Sequence, residues 1–268
     1  MAGRITEIIK NKGSFSYSFE VTPVIKENEL EKLDLEPLFF SVTWHAQDHK
    51  CKDFEIAPLK LAKYLREKNK NVLLHISCCN MKKDYLDYLL VLLKDIGVYN
   101  LFIILGENFD SRHSEFRRSQ DMITYIRQET GNFFCIGVAG FPDREGSILQ
   151  LKEKINCGVD FILTQAFFDC NVLKRFSIHC DEAGIHVPII PGIFPFETDK
   201  ELEDFVKLCK VHMTGNITQK LARQSGIEVV TKLINEIIQQ QKINHIHFFT
   251  LNKIERTTNL IRNILSTK

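Results

Sequence analysis

The strongest constraint on this chain is an alternation: a short apolar run followed by a stretch of helical spacing, eight times in succession. Runs of about four to eight apolar residues read as strands, and apolar residues recurring every three or four positions read as amphipathic helices. The first run, 15–22, is followed by a charged, leucine-spaced segment over 27–35. Next come 38–44 with a helix over 57–68, 71–77 with 83–96, 101–106 with 114–129, and 133–139 with 148–156. The sixth run opens at Phe161 and precedes a helix over 172–183. The seventh, 187–193, precedes helices over 200–209 and 220–240, and the eighth, 245–251, precedes a last helix over 256–265. Gly97, Gly131, Gly158 and Gly184 stand where helix C-caps are needed.

Nearly continuous apolar strands belong to parallel sheets covered on both faces. Eight strand–helix units, with no low-complexity linker and no composition break, predict an α/β fold: one (β/α)8 TIM barrel spanning 1–268. An open doubly wound sheet is the alternative, but its Gly-x-Gly-x-x-Gly turn after an early strand is absent.

Charge narrows the function classes. The formal net charge is +1 and the basic residues are scattered, which gives no footprint for nucleic acid or an anionic membrane. No apolar stretch approaches the roughly 18 residues of a membrane span, and no apolar run at the start reads as a signal peptide. The eight cysteines are dispersed, several within apolar segments and none in Cys-x-x-Cys spacing. Reduced thiols in a cytoplasmic protein, with no metal site, are the expectation.

In such a barrel the functional groups lie where strands end. Those ends carry Glu20, Thr43 with Trp44, His75 with Ser77, Gly106 with Glu107, Ala139 to Phe141, Thr164 with Gln165, Gly192, and Thr250 to Asn252. The sixth run is the most telling, since a buried strand ends in Gln165 and Asp169 beside Phe167 and Phe168. The set contains no Ser-His-Asp series. It suits a large planar heteroaromatic ligand and one proton donor, with a cofactor carrying the electron chemistry. Simpler roles stand beside these. Glu20 could pair with an arginine, Thr43 and His75 could satisfy strand-end backbone, Trp44 could seal the rim, and Gln165 could cap the next helix. His245 and His247 alternate on one strand, where they could share a ligand or lie at solvated positions.

Seven segments, in chain order and in register with the strands, resemble the methylenetetrahydrofolate reductase family over nearly the whole chain. They are Phe19-Glu20-Val21-Thr22-Pro23, Ser41 to His45, Leu74 to Cys79, Val138 to Pro142, Gly158 to Phe168, Ile190 to Pro195 and His247 to Asn252. The Trp44-His45 and Cys78-Cys79 pairs look closer to animal members than to bacterial ones.

The resemblance implies a flavoprotein in which FAD takes hydride from NADPH or NADH and passes it to methylenetetrahydrofolate, giving methyltetrahydrofolate. Position by position, Glu20 matches the general acid that helps open the folate's five-membered ring. Gln165 matches a pterin-binding amide, and Glu107 takes the place of an aspartate near both flavin and pterin. Lys253 replaces a substrate-side arginine. Thr43, Trp44, His75, Leu105, Gly106, Ala139, Phe141 and Lys154 fall at flavin-contacting positions. Several of these depart from the family pattern: Leu105 stands for an arginine, Ser147 for an aspartate, Arg118 for a tyrosine and Asp199 for an aromatic, and the loop after Pro142 is short. The expected activity is therefore flavin-dependent methylenetetrahydrofolate reduction, with a folate as the small-molecule partner. The alternative is a barrel that has lost FAD and binds folate or a protein. The barrel fills the chain, so no carboxy-terminal S-adenosylmethionine-binding domain is expected. A homo-oligomer is left open.

Overall fold

The computed structural model describes residues 3–44, 56–106, 109–144, 146–213, 217, 221 and 223–266. Its strands are β1 (Ser16–Val21), β2 (Phe40–Val42), β3 (Val72–Ser77), β4 (Asn100–Ile104), β5 (Cys135–Gly140), β6 (Phe161–Thr164), β7 (Ile189–Ile190), β8 (Gly192–Ile193) and β9 (His245–Phe248). Its helices are α1 (Ile5–Lys12), α2 (Glu27–Glu31), α3 (Ala57–Glu67), α4 (Lys83–Asp95), α5 (Ser119–Thr130), α6 (Ser147–Asn156), α7 (Cys170–Glu182), α8 (Asp199–Cys209), α9 (Gly226–Gln241) and α10 (Ile254–Ser266). Every strand pairing is parallel.

The predicted barrel is present, with one refinement: the seventh apolar run is two short strands. Pro191 has no N–H for a ladder and divides the run. Ile189–Ile190 pairs with β6 and Gly192–Ile193 with β9. The sheet order β7-β6-β5-β4-β3-β2-β1-β9-β8 puts these consecutive segments at opposite edges, so the run itself links the two edges. Gly192 is required there, because a Cβ would sit 2.3 Å from the Thr164 carbonyl oxygen.

Side chains alternate across the sheet and build two cores. Outward residues such as Phe19, Val21, Leu74, Ile76 and Phe248 meet the helices in the larger one. Inward residues Phe39, Leu73, Phe102, Cys135, Phe161 and Leu163 fill part of the barrel. Gly137 belongs to this filling, since a Cβ there would lie 2.3 Å from the Phe161 ring. The rest of the interior is polar: Ser16, Ser18, Glu20, Ser41, His75, His245 and His247 are all buried.

The sequence reading did not anticipate α1, which lies beneath the barrel. Ile5 is fully buried in the inner core, and its N–H donates to Asn100 Oδ1 at 2.8 Å. Asn100 in turn donates to the carbonyls of Gly3 and Val72, and Arg4 pairs with Asp160 at 2.7 Å. Ile5→Ala removes the plug's apolar contact and should destabilise the fold by about 2–5 kcal/mol, the usual range for truncating a buried aliphatic residue. Urea denaturation measures this, and a loss below about 0.5 kcal/mol would show that α1 does not seal the barrel.

Candidate active site

Parallel strands bring Glu20, Thr43, Gln165 and Asn252 to one rim, the C-terminal end of the barrel. Glu20 is the most unusual group there. It is 7 % exposed, and the Leu251 N–H bonds its carboxyl. Its Oε2 is buried without a partner among the described residues, so the arginine partner weighed from sequence does not appear. Burial raises its pKa from the ordinary 4.5 to about 7, with the Leu251 N–H opposing the shift.

The turn after β9 explains that N–H. Leu251 and Asn252 both have left-handed backbone, φ 46° and 60°, a conformation costing roughly 1–2 kcal/mol for a non-glycine residue. Asn252 offsets the cost: its Oδ1 accepts from the Thr22 N–H at 2.9 Å and its Nδ2 donates to Thr22 Oγ1 at 2.6 Å. Thr250 Oγ1 donates to the Glu20 carbonyl at 2.6 Å. The turn is thus stitched to β1 on either side of the acid.

Beside Glu20, Thr43 and Trp44 end β2. Both are buried, and Thr43 Oγ1 and Trp44 Nε1 have no partner among the described residues. His75 lies deeper, its Nε2 2.8 Å from Ser41 Oγ and its ring 4.8 Å from that of Phe102. Leu105 and Gly106 follow β4, and Leu105 leaves 42 % of its surface in water at the rim. Glu107 lies outside the described residues.

Across the mouth, Ala139, Phe141, Ser147 and Lys154 line one small cavity. Burial holds the Lys154 ammonium below its ordinary pKa, with Cys78 opposing the shift. Ser147 Oγ donates to the carbonyls of Phe141 and Arg144, closing the short loop on itself. Gln165 does not cap α7; Asp169 does, accepting from the Asn171 N–H at 2.9 Å. That also takes Asp169 out of the ligand-facing role its sequence position suggested. Gln165 instead donates to the Cys209 carbonyl at 2.5 Å and accepts from Arg144 at 3.3 Å. The Arg144 guanidinium lies 4.1 Å over the Phe141 ring. Asp143 accepts from the His212 N–H at 2.7 Å. The loop 141–144 and the segment 209–212 are therefore tied together beside Gln165. Sequence reasoning missed this tie, because only the folded loop brings residues separated by more than sixty positions together.

Three positions lie apart from this cluster. Lys253 forms an ion pair with Glu201, which Arg256 shares at 2.6 Å. Asp199 opens α8 behind its Thr198 cap. Arg118 precedes α5 and pairs with Asp121 at 2.9 Å, pointing its charge into its own helix cap. His245 and His247, weighed as solvated or as sharing a ligand, are both inside the barrel and share Ser18. Among the described residues no group of three or more His, Cys, Asp or Glu could hold a metal, and no helix is long and apolar enough to cross a membrane.

A flavin fits the chemistry of this mouth. Thr43 Oγ1, without a partner among the described residues, can hydrogen-bond a ring edge, Leu105 offers exposed apolar surface, and Phe141 lines the small cavity beside them.

A raised carboxyl pKa ties stability to pH with a definite sign. The stabilisation from keeping Glu20 protonated is fully present below the unfolded value of 4.5 and is lost as pH rises through about 7. Glu20→Gln removes that penalty, so its melting temperature should gain on the unaltered protein as pH rises from 4.5 and level off above about 7. A difference that stays flat across this range would show that the carboxyl is not desolvated as described.

Comparison with known proteins bears on the family and the fold. The family model for methylenetetrahydrofolate reductase matches residues 4–265. Methylenetetrahydrofolate reductase 2 of Schizosaccharomyces pombe is 29% identical, over 93% of this chain and 45% of its own. Methylenetetrahydrofolate reductase (NADH) 1 of Arabidopsis thaliana is 25% identical, over 96% and 49%. The chain thus spans about half the length of these relatives. A crystal structure of oxaloacetate acetylhydrolase superposes with a TM-score of 0.53 over 98% of this chain and 85% of that one; at 11% identity this likeness concerns the fold alone. With the family match running almost from end to end on a barrel whose acid sits at the mouth, the chain belongs to the methylenetetrahydrofolate reductase family.

Proposed function

We propose that this barrel reduces 5,10-methylenetetrahydrofolate to 5-methyltetrahydrofolate, using FAD and a reduced nicotinamide, NADPH or NADH. Family membership supports the reaction class, and one observation supports the acid: a carboxyl buried at the mouth, its Oε2 without a partner among the described residues, with its pKa raised to about 7. Opening the folate's five-membered ring leaves a nitrogen lone pair that needs a proton as its bond to carbon breaks. Glu20 is a proton donor near neutral pH, where an ordinary carboxyl would already be ionised. As the proton leaves, the carboxylate that forms is met by the Leu251 N–H. A barrel serving only to bind folate or a partner gains nothing from a protonated acid here, so the reductase is the better reading.

The other assignments follow the family resemblance. Thr43, Trp44, His75, Leu105, Gly106, Ala139, Phe141 and Lys154 would hold the flavin, which supplies hydride transfer when bound. Gln165 can address a pterin edge with both donor and acceptor, once Cys209 and Arg144 yield its amide. Glu107 is assigned to the same ligands. Lys253 reaches a substrate anion by exchanging it for Glu201. The seven described cysteines are thiols rather than disulfides, which supports a reducing, cytoplasmic setting.

Two measurements test the proposal. Leu105→Arg restores a cation at the rim, where a hydrogen bond to a charged group is worth roughly 1.5–3 kcal/mol. It should tighten FAD binding, read by flavin fluorescence quenching, about tenfold or more; an unchanged affinity would place that side chain away from the cofactor. Glu20→Gln should leave flavin reduction by the nicotinamide within a few-fold and slow folate-dependent reoxidation by about 10²–10⁴-fold. Equal loss in both half-reactions would make Glu20 a structural group, and no loss in either would move the acid elsewhere.

A further inference from the structure

Beneath Glu20 the barrel holds a column of polar side chains that hydride transfer does not use. Ser16 Oγ lies 2.8 Å from His245 Nδ1. Ser18 Oγ lies 3.0 Å from His245 Nε2 and 2.8 Å from His247 Nδ1. All four residues are buried, the two histidines at 3% and 0% exposure. Phe39 walls the column, its ring stacked 5.5 Å from His245 and 6.0 Å from His247. Strand register makes the order exact along the axis: Ser16 pairs with His245 and Ser18 with His247, and Glu20 is the next inward position of β1.

The two ends are open in different ways. Ser16 and His245 line a cavity of about 500 Å³ at the N-terminal end of the barrel, together with Thr6, Lys10 and Asn244. That cavity is opposite the mouth. At the upper end, His247 Nε2 and Glu20 Oε2 are both buried and both lack a partner among the described residues.

The column's hydrogen bonds can be drawn in two complete senses. In one, Ser16 donates to His245 Nδ1, His245 Nε2–H to Ser18, and Ser18 to His247 Nδ1, leaving His247 Nε2–H as a donor facing upward. In the other, every donor and acceptor is exchanged and His247 Nε2 becomes an acceptor. A neutral imidazole with one N–H and one lone pair, alternating with hydroxyls, allows both. Burial keeps the rings neutral: the pKa of His245 is lowered to about 3, and burial, with His245 and His75 contributing, holds that of His247 well below its ordinary value.

We propose that Ser16, His245, Ser18 and His247 form a proton relay that returns a proton to Glu20 from the N-terminal cavity, away from the substrate mouth. This rests on the reading of Glu20 as the acid. Once Glu20 has given its proton to the folate nitrogen it is a carboxylate. A cavity water then protonates Ser16, the Ser16 proton moves to His245 Nδ1, and the Nε2 proton of His245 moves to Ser18. The Ser18 proton moves to His247 Nδ1, and the Nε2 proton of His247 passes to Glu20 Oε2 through bridging water, since neither atom has a direct partner among the described residues. The net change is one proton from solvent to Glu20, with no bond between heavy atoms made or broken, and the column is left in its second sense. The relay lets the acid recharge while ligands fill the mouth.

The test is pH-jump infrared spectroscopy on the full chain, following the carboxyl band that disappears in Glu20→Gln. In Ser18→Ala the band should relax at least tenfold more slowly with its titration midpoint still near 7, and Ser18→Thr, which returns the hydroxyl, should restore the rate. Should Ser18→Ala not fold, Ser16→Ala cuts the same column at its lower end and should slow the band alike. An unaltered relaxation rate in the cut column would overturn the relay and show that protons arrive through the mouth. Absence of a Glu20-dependent band near neutral pH in the unaltered protein would instead remove the acid itself, and with it the reading on which the relay stands.

Discussion

The structure turns on one costly arrangement: a carboxyl held inside a barrel with no cation to pair it among the described residues. An ionised carboxylate in such a place would be strongly destabilising, so the group takes the cheaper course and keeps its proton. Everything around Glu20 serves that balance. The Leu251 N–H limits the shift, so that the acid can still give the proton up near neutral pH. The left-handed pair Leu251–Asn252, locked onto Thr22, fixes that N–H in place. Strain in the turn is thus spent on tuning one proton.

Placing an acid there requires an interior unlike that of most barrels of this kind. Bulky aliphatic and aromatic residues fill the side formed by β3 to β6, with Phe161 seated against Gly137. The side formed by β1 and β9 is instead a ladder of serines and histidines, each with a hydrogen bond. Buried polar groups are tolerated when they satisfy one another. Here the pairing follows from strand register, since parallel β1 and β9 put Ser16 opposite His245 and Ser18 opposite His247. The lower end is closed by α1 through Ile5 and Asn100, and the column meets a cavity beside that helix.

Much of this was legible in the sequence because the fold depends on period. Apolar runs spaced by amphipathic stretches predicted the strands and their parallel order, and glycine at 97 and 184 marked helix ends that the structure confirms with φ of 75° and 66°. Glu20 stood out as a lone acid closing an apolar strand. What remained hidden depends on contacts between distant residues. Pro191 was visible, yet its splitting of the seventh strand between two neighbours required the closed sheet. The loop after Pro142 read only as short, whereas the fold sets its Arg144 on Phe141 and Gln165. The short helix α1 has charged and apolar residues in a pattern too brief to separate from a terminal tail. His245 and His247 could be assigned to one face but not to the inside, because alternation alone does not say which face is buried.

The central claim is that Glu20 holds a proton near neutral pH because it is buried with no counter-charge among the described residues. The most direct measurement is a carbon-13 NMR titration of the glutamate side-chain carboxyls, with the Glu20 signal assigned by its absence in Glu20→Gln. The account predicts a midpoint near 7 for that signal. A midpoint near the ordinary 4.5 would contradict it.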